Sequence, residues 1–450
     1  MNVSMKLAEF ITGINYSDFK SDIIEKSKEA VLDWLGVTIA GTREEAGLLI
    51  NNYVITQCSK GNVSIIGTPI KTSVSDAALA MGTLSHALDF DDISWPMIGH
   101  PSVTILPAIF ALCEEKELPG WKGLEAFVTG FEVESLLGEA TSEYHYHHGW
   151  HTTGTLGPLG SAAACSKILE LDAQKICNAL GIAASHASGL RQNFGTMTKP
   201  LHAGNAARGG LVAALLAKSG FTADESIFDA ALGFPNVFCG KDNHKIFELD
   251  QKLNLNKPWS LLNPGQTLKK YPSCGLTSAA IDCMIDLCHE QNIIASEIKE
   301  IECAVAHEVT NVLIRNRPQS GLEGKFSMEY CLAVAALDNI VGLKQFTDHR
   351  VAADDVQDLL RRVTIVTDDS LHMGESRVRI TTDRGVYEKA SLHAIGTPEN
   401  PMTYDEIKDK FRMCSEDILN NDVISQIIDS VTILDDIKNL KYFVSLTCPM

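Results

Sequence analysis

The chain has 450 residues, too many for one ordinary hydrophobic core, so two domains are expected. Its 45% apolar and 21% charged residues are those of a globular protein, and no apolar run approaches the roughly 18 residues of a membrane span. A formal charge of −19 argues against nucleic acid as a partner and obliges any anionic substrate to be drawn by a local positive pocket. The opening residues, MNVSMKLAEFITG, lack the apolar block and cleavage site of a secretory signal, so a cytoplasmic protein is expected. Twelve cysteines without one C-x-x-C argue against structural zinc and for reduced, mostly buried thiols.

Helical spacing dominates the first half. Ile23, Ile24, Ser27, Ala30, Val31, Trp34 and Leu35 repeat at i, i+3, i+4 and i+7, the mark of a buried helix face. Further helices are read over 76–88, 121–140, 154–171, 172–190 (with Asp172 placed to cap it) and from Pro200 through LHAGNAARGGLVAALLAKSG. Small residues crowd 154–171 and the helix after Pro200, which lets helices approach closely. Thr222 to Glu225 reads as a capping box opening another helix. After about Asn263 the texture changes. Residues 300–309, 363–368 and 378–382 carry β-branched alternation, and Asp383-Arg384-Gly385 turns the last into a hairpin with 386–392. Helices over 278–290 and 327–337 interleave with these strands, making a smaller α+β part. From Thr403 onward the spacing is helical again, and this tail is expected to return to the first domain.

Candidate chemistry concentrates between Ser85 and Pro107, SHALDFDDISWPMIGHPSVTILP, which holds His86, Asp89, Asp91, Asp92 and His100. Carboxylates and imidazoles this close can divide acid and base work; the plain alternative is a solvated acidic loop capping a helix. Pro101 suits the first helical position, putting His100 at a helix mouth that favours an anion. Lys199 likewise precedes a proline at a helix start, where it could clamp a carboxylate or lie on the surface. In Tyr144-His-Tyr-His-His-Gly-Trp-His151, His147 and His151 stand four apart and could hold zinc, but Gly149 interrupts them and no acidic or thiol ligand stands beside them. Mobile loop histidines, or acid–base work by His151, are the other readings. Lys269-Lys270-Tyr-Pro-Ser-Cys274 lies where the texture changes, at a domain junction of the kind that forms ligand clefts; its lysines could bind carboxylates, and Cys274 has no dedicated base partner. G-x-S-x-G, P-loop and G-x-G-x-x-G signatures are missing from the sequence.

An ordered set of motifs resembles the MmgE/PrpD family: SHALDFDD (85–92), HPS (100–102), GWH then GTLG (149–157), TKPLHAGNAARGG (198–210), YPSCGLT (271–277) and KFSMEY (325–330). DWLGVTIAGT (33–42) resembles the family's N-terminal helix. The resemblance implies a mainly α protein with a large all-helical domain built from both termini (1–265 plus 400–450), a smaller α+β lid domain (266–399), and a homodimer without metal or organic cofactor. Carried over residue by residue, the family's active-site aspartate falls on Asp89, its histidines on His100 and His151, its lysine on Lys199 and a lid tyrosine on Tyr330. Lys270 and Cys274 join Lys199 and Tyr330 as expected substrate-binding residues.

Two departures stand out. Decarboxylase-like members carry a threonine soon after DFDD, where this chain has Ile93 and Ser94, and members tend to have a histidine around the YPSC loop, where this chain has none before His289. The expected function is a cofactor-independent lyase acting on a small di- or tricarboxylate, by decarboxylation as for cis-aconitate or dehydration as for 2-methylcitrate. An epimerase of the iminodisuccinate type, with two bases on one carbon, is the alternative. A non-catalytic small-acid-binding paralogue is the third.

Overall fold

A computed structural model describes residues 2–241, 243–253 and 258–449. The chain divides into two compact units. The first takes Met1–Asn193, Met197–Thr267 and Thr403–Met450, so both ends of the chain fold into it; the second takes Phe194–Thr196 and Leu268–Met402. Among the described residues the fold is mainly helical, with a small mixed sheet and a short two-stranded ladder.

In the first unit the periodic apolar faces become long helices. The face spaced from Ile23 to Leu35 is buried along the helix Ser21–Gly41, with Ile24 at its margin. Four more helices, Val74–His86, Ser102–Lys116, Thr152–Ile168 and Thr198–Lys218, surround one another at the centre. Thr152–Ile168 is buried on every side except at Lys167, as expected of a helix with no polar face. Small residues set the spacing. A Cβ on Gly204 would stand 2.3 Å from the Leu79 carbonyl oxygen, and one on Gly82 would stand 2.8 Å from the Gly204 Cα, so the two helices touch backbone to backbone.

Element ends differ from the sequence reading where one local bond decides. The helix Gly120–His147 outruns the apolar pattern that suggested 121–140, because nothing breaks it until Gly149 takes φ +100°. Asp172 does cap the helix Ala173–Ala184, accepting the Lys175 N–H at 2.9 Å, but that helix stops well short of Leu190. The box at 222–225 opens no helix: the Asp224 carboxylate accepts both the N–H (2.8 Å) and the hydroxyl (2.6 Å) of Ser226, which folds the segment into turns.

The second unit contains four strands in the order Val363–Thr367, Glu300–Val305, Ser376–Thr382, Gly385–Ser391. The first pair is parallel and the others are antiparallel, with Ile301 facing both Val363 and Ile380 in register. Ser376, Val378, Ile380 and Thr382 alternate inward, and the helix Ser278–Glu290 covers the last two strands. The hairpin at 383–384 forms as its turn residues suggest. All twelve cysteines are free and nine are buried. Among the described residues no helix is long and apolar enough to cross a membrane.

Replacing Gly204 by alanine should lower the unfolding free energy by about 1–3 kcal/mol, the usual penalty for overpacking. Urea denaturation reads this directly, and an unchanged midpoint would mean that the two helices separate freely.

Candidate active site

The helix Val74–His86 ends inside the acidic stretch, and the chain reverses at Asp89, which adopts φ +52°. Aspartate tolerates this left-handed conformation better than most residues. The stretch is not a solvated loop: Asp89 is 3% exposed, and Asp91 and Asp92 are each 1% exposed. Burying a carboxylate without a partner is costly, so each one needs its own.

Each has one. Asp89 forms an ion pair with the Lys199 ammonium, itself 4% exposed in the first turn of Thr198–Lys218. Asp91 holds two imidazoles. Its oxygens lie 2.9 and 3.0 Å from His86 Nδ1, and one lies 3.1 Å from His100 Nδ1. Asp92 accepts the Ser102 N–H at 3.2 Å and hydroxyl at 2.8 Å, and an amide hydrogen of Gln266. The mouth of the helix Ser102–Lys116, where the sequence suggested room for a bound anion, is therefore occupied by the protein's own carboxylate. Burial and the neighbouring Asp91 push Asp92 up to about 7, against the bonds from Gln266 and Ser102. Behind it Glu134 is pushed well above its ordinary range by burial.

The contacts of His100 fix its tautomer. Its Nδ1 lies 2.7 Å from the Asp92 carbonyl oxygen, which can only accept, so Nδ1 carries the hydrogen. In the neutral ring Nε2 is then the basic nitrogen, and it lies 4.0 Å from Asp89 Oδ1. His86 is held in the same way by Asp91, and its buried Nε2 has no hydrogen-bond partner among the described residues. Burial pushes His86 down to about 3 despite Asp91, with Lys199 adding to the shift. In the fold Asp91 holds the Nδ1 sides of both histidines, while Asp89 pairs with the lysine and lies near His100 Nε2.

His151 arrives from the other side. Gly149 turns the chain after the helix Gly120–His147, and His151 stands at the N-cap of Thr152–Ile168, its N–H donated to the Gly189 carbonyl at 3.0 Å. Its ring stacks near His86 (centroids 5.7 Å apart, planes at 18°) and lies 6.4 Å from His100. Burial first, then Lys199, holds its pKa well below the imidazole range. Its Nδ1 meets His202 Nδ1 at 3.0 Å. Asp89, His100, His151 and Lys199 are thus brought together, and His86, Asp91 and His202 join them. His202 lies three residues after Lys199 on one helix, a spacing visible in the sequence.

The rest of the histidine cluster goes elsewhere. His147 ends its helix in solvent, His148 bonds the Tyr144 carbonyl, and buried His145 stacks on Phe238 and meets the Thr155 hydroxyl at 2.7 Å. His147 and His151 therefore share no helix face, and zinc held by that pair is ruled out by geometry. The nitrogens that do converge, on His86, His100 and His151, lie within 4.8 Å of one another. The Lys199 ammonium, which opposes positive charge on His86 and His151, would oppose a cation there as well. In the second unit, Lys270 lies 5.9 Å from the centre of the Tyr271 ring, Cys274 is half-buried with its N–H donated to the Lys325 carbonyl (2.9 Å), and the buried Tyr330 donates its hydroxyl to the Gln345 carbonyl.

The C-terminal segment braces the site. Lys410, on the helix Tyr404–Ser415, places its ammonium 2.6 Å from Asp33, donates to the Phe90 carbonyl at 2.7 Å and lies 3.9 Å from the Phe90 ring centre. That carbonyl sits between the two site aspartates, so a charge from near the chain end steadies the turn that aims them.

A buried cluster of carboxylates, imidazoles and an ammonium in a helical unit, in a chain that also carries a small α+β unit, has the groups an enzyme site needs. The MmgE/PrpD N-terminal domain model matches residues 5–246 and the MmgE/PrpD C-terminal domain model matches residues 271–436. The chain belongs to the MmgE/PrpD family and is a lyase of that family. It is 29% identical to the cis-aconitate decarboxylase of Mus musculus, covering 97% of this chain and 92% of that protein. It is 28% identical to the Homo sapiens enzyme of the same name, covering 99% and 94%. With the cis-aconitate decarboxylase of Aspergillus terreus it shares 25% identity over 100% and 96%.

Lys410→Met should cost about 3–5 kcal/mol of stability by leaving Asp33 buried without its cation. Adding Asp33→Leu should restore most of it. Denaturant unfolding of both variants is the test, and a neutral Lys410→Met would show that the brace carries no strain-bearing role.

Proposed function

We propose that the protein decarboxylates a small tricarboxylate of the cis-aconitate kind without a metal or organic cofactor. The observation that carries this reading is the convergence of two imidazoles and one ammonium, from three distant segments, inside a buried site of a chain resembling cis-aconitate decarboxylases along nearly its whole length. In this reaction the bond to one carboxylate breaks, carbon dioxide leaves, and the electron pair is taken up by a second carboxylate conjugated to the reacting carbon. That group gains negative charge, and a fixed cation in a dry site is the strongest available stabiliser. Lys199 is the proposed clamp, with Asp89 holding the ammonium in place until a substrate carboxylate shares it. A proton then completes the product carbon, so each turnover takes up one proton. His100, whose Nε2 is free of hydrogen when neutral, and His151 divide the work of taking that proton up from solvent and delivering it to the carbon.

Support for the substrate class comes from the named relatives; support for proton chemistry comes from the two imidazoles. The chain's lack of a histidine in the YPSC loop favours one rival, epimerisation with a base on each face of a carbon. Dehydration of a 2-methylcitrate-like acid is the other.

Incubating the protein with cis-aconitate, 2-methylcitrate and iminodisuccinate in deuterated water, with product NMR, separates these. Carbon dioxide release with one deuterium in the product supports decarboxylation; loss of water supports dehydration. Deuterium wash-in without change of formula would replace the proposal with epimerisation. His100→Ala and His151→Ala should each lower turnover by about 10²–10⁴-fold, and Lys199→Met should weaken binding of di- and tricarboxylates by calorimetry. Activity within a few-fold of wild type would remove that residue from the chemistry.

A further inference from the structure

We propose that His202 is a positioning residue which locks the tautomer of His151 through a single proton shared between their Nδ1 atoms. The inference rests on the reading of His151 as an acid–base group and goes beyond it, because nothing in the family resemblance assigns His202 a role.

The geometry leaves few alternatives. The two Nδ1 atoms are 3.0 Å apart, and both rings are buried, His151 at 1% and His202 at 7% exposure. Two bare nitrogens at that distance would repel, and two N–H groups would clash. One neutral ring must donate and the other accept. If the hydrogen is on His151 Nδ1, its Nε2 is bare and can take a proton; if it is on His202 Nδ1, His151 Nε2 carries hydrogen and can give one. Burial and the nearby Lys199 lower the pKa of both imidazoles, which favours the neutral pair.

The surroundings hold the ring of His202 against rotation. Gly189, at φ +116°, passes so close that a Cβ there would stand 3.1 Å from the His202 ring. Gly154, one turn beyond His151, would place a Cβ 3.2 Å from the His202 Cβ and 2.3 Å from the Ser188 carbonyl oxygen. The same loop anchors His151, since Gly189 accepts the His151 N–H and Ser188 donates to the Gly154 carbonyl at 3.2 Å. Lys199 and His202 project from successive turns of one helix, so the segment supplying the ammonium also supplies the partner of the imidazole. The pair can also move charge. When His151 Nε2 takes up from solvent the proton that each turnover consumes, the hydrogen on His151 Nδ1 can cross to His202 Nδ1. His151 is then a neutral Nε2–H donor and His202 holds the added proton, with no proton created or lost.

The test uses the full-length protein with ¹⁵N-labelled histidine. Long-range ¹H–¹⁵N correlations, with signals assigned by their loss in His151→Gln and His202→Asn, should show opposite kinds of Nδ1 in the two rings, one protonated and one bare. His202→Phe, which keeps the ring volume, should shift the His151 nitrogens and lower kcat by about 10–100-fold, the usual effect of losing a supporting partner, with KM within about threefold. His202→Asn, which returns a polar atom near the Nδ1 position, should recover most of kcat. Two Nδ1 atoms of the same kind would overturn the proposal, as would unchanged His151 shifts in a folded His202→Phe protein or kcat within twofold of wild type. Wild-type activity in His151→Ala would instead sink the acid–base reading of His151, while the nitrogen shifts would still decide whether the pair shares a proton.

Discussion

Three aspartates within four residues are buried almost completely, and much of the first unit is arranged to make that tolerable. A lone buried carboxylate would take up a proton or disrupt its surroundings. Here each receives a partner of a different kind: an ammonium for Asp89, two imidazoles for Asp91, and a helix N-terminus with an amide for Asp92. The partners come from four separate stretches of chain, so satisfying the charges also draws the helices together. The left-handed turn at Asp89 makes this possible, because it sends adjacent carboxylates toward different partners.

That arrangement separates the groups that hold the imidazoles from the ring nitrogens left over. Asp91 grips the Nδ1 sides of His86 and His100, and the opposite nitrogens are left as the basic ones. Lys199 and Asp89 offset each other's cost of burial, and the pair sets an oriented cation in a chain whose overall charge repels anions. Under the proposed function, a polyacid entering such a site would meet an ammonium already oriented, leaving little reorganisation for the reaction itself.

Much of this was legible in the sequence. The spacing of Ile23 to Leu35, the small residues of 154–171 and the alternation of 378–382 gave helices and strands close to those observed. His100 and Lys199 were visible through the prolines that follow them. Other features were hidden because a distant contact decided them. Which aspartate of DFDD faces the lysine depends on one backbone angle at Asp89. The hold of Lys410 on the Phe90 carbonyl joins residues 320 positions apart, beyond the reach of any local pattern. The failed box at 222–225 and the extended helix through His147 turned on a single side chain and a single glycine. The spacing of Lys199 and His202 could have been read as one helix face, had the lysine not drawn attention to its proline alone.

The central claim is that the charged cluster around Lys199 receives a carboxylate of the substrate. An experimental structure with a non-reacting tricarboxylate bound tests this most directly. The account predicts one carboxylate within hydrogen-bond distance of Lys199 Nζ, and the carbon beside it within reach of His100 or His151. A ligand bound elsewhere, with Lys199 and both imidazoles untouched, would contradict it.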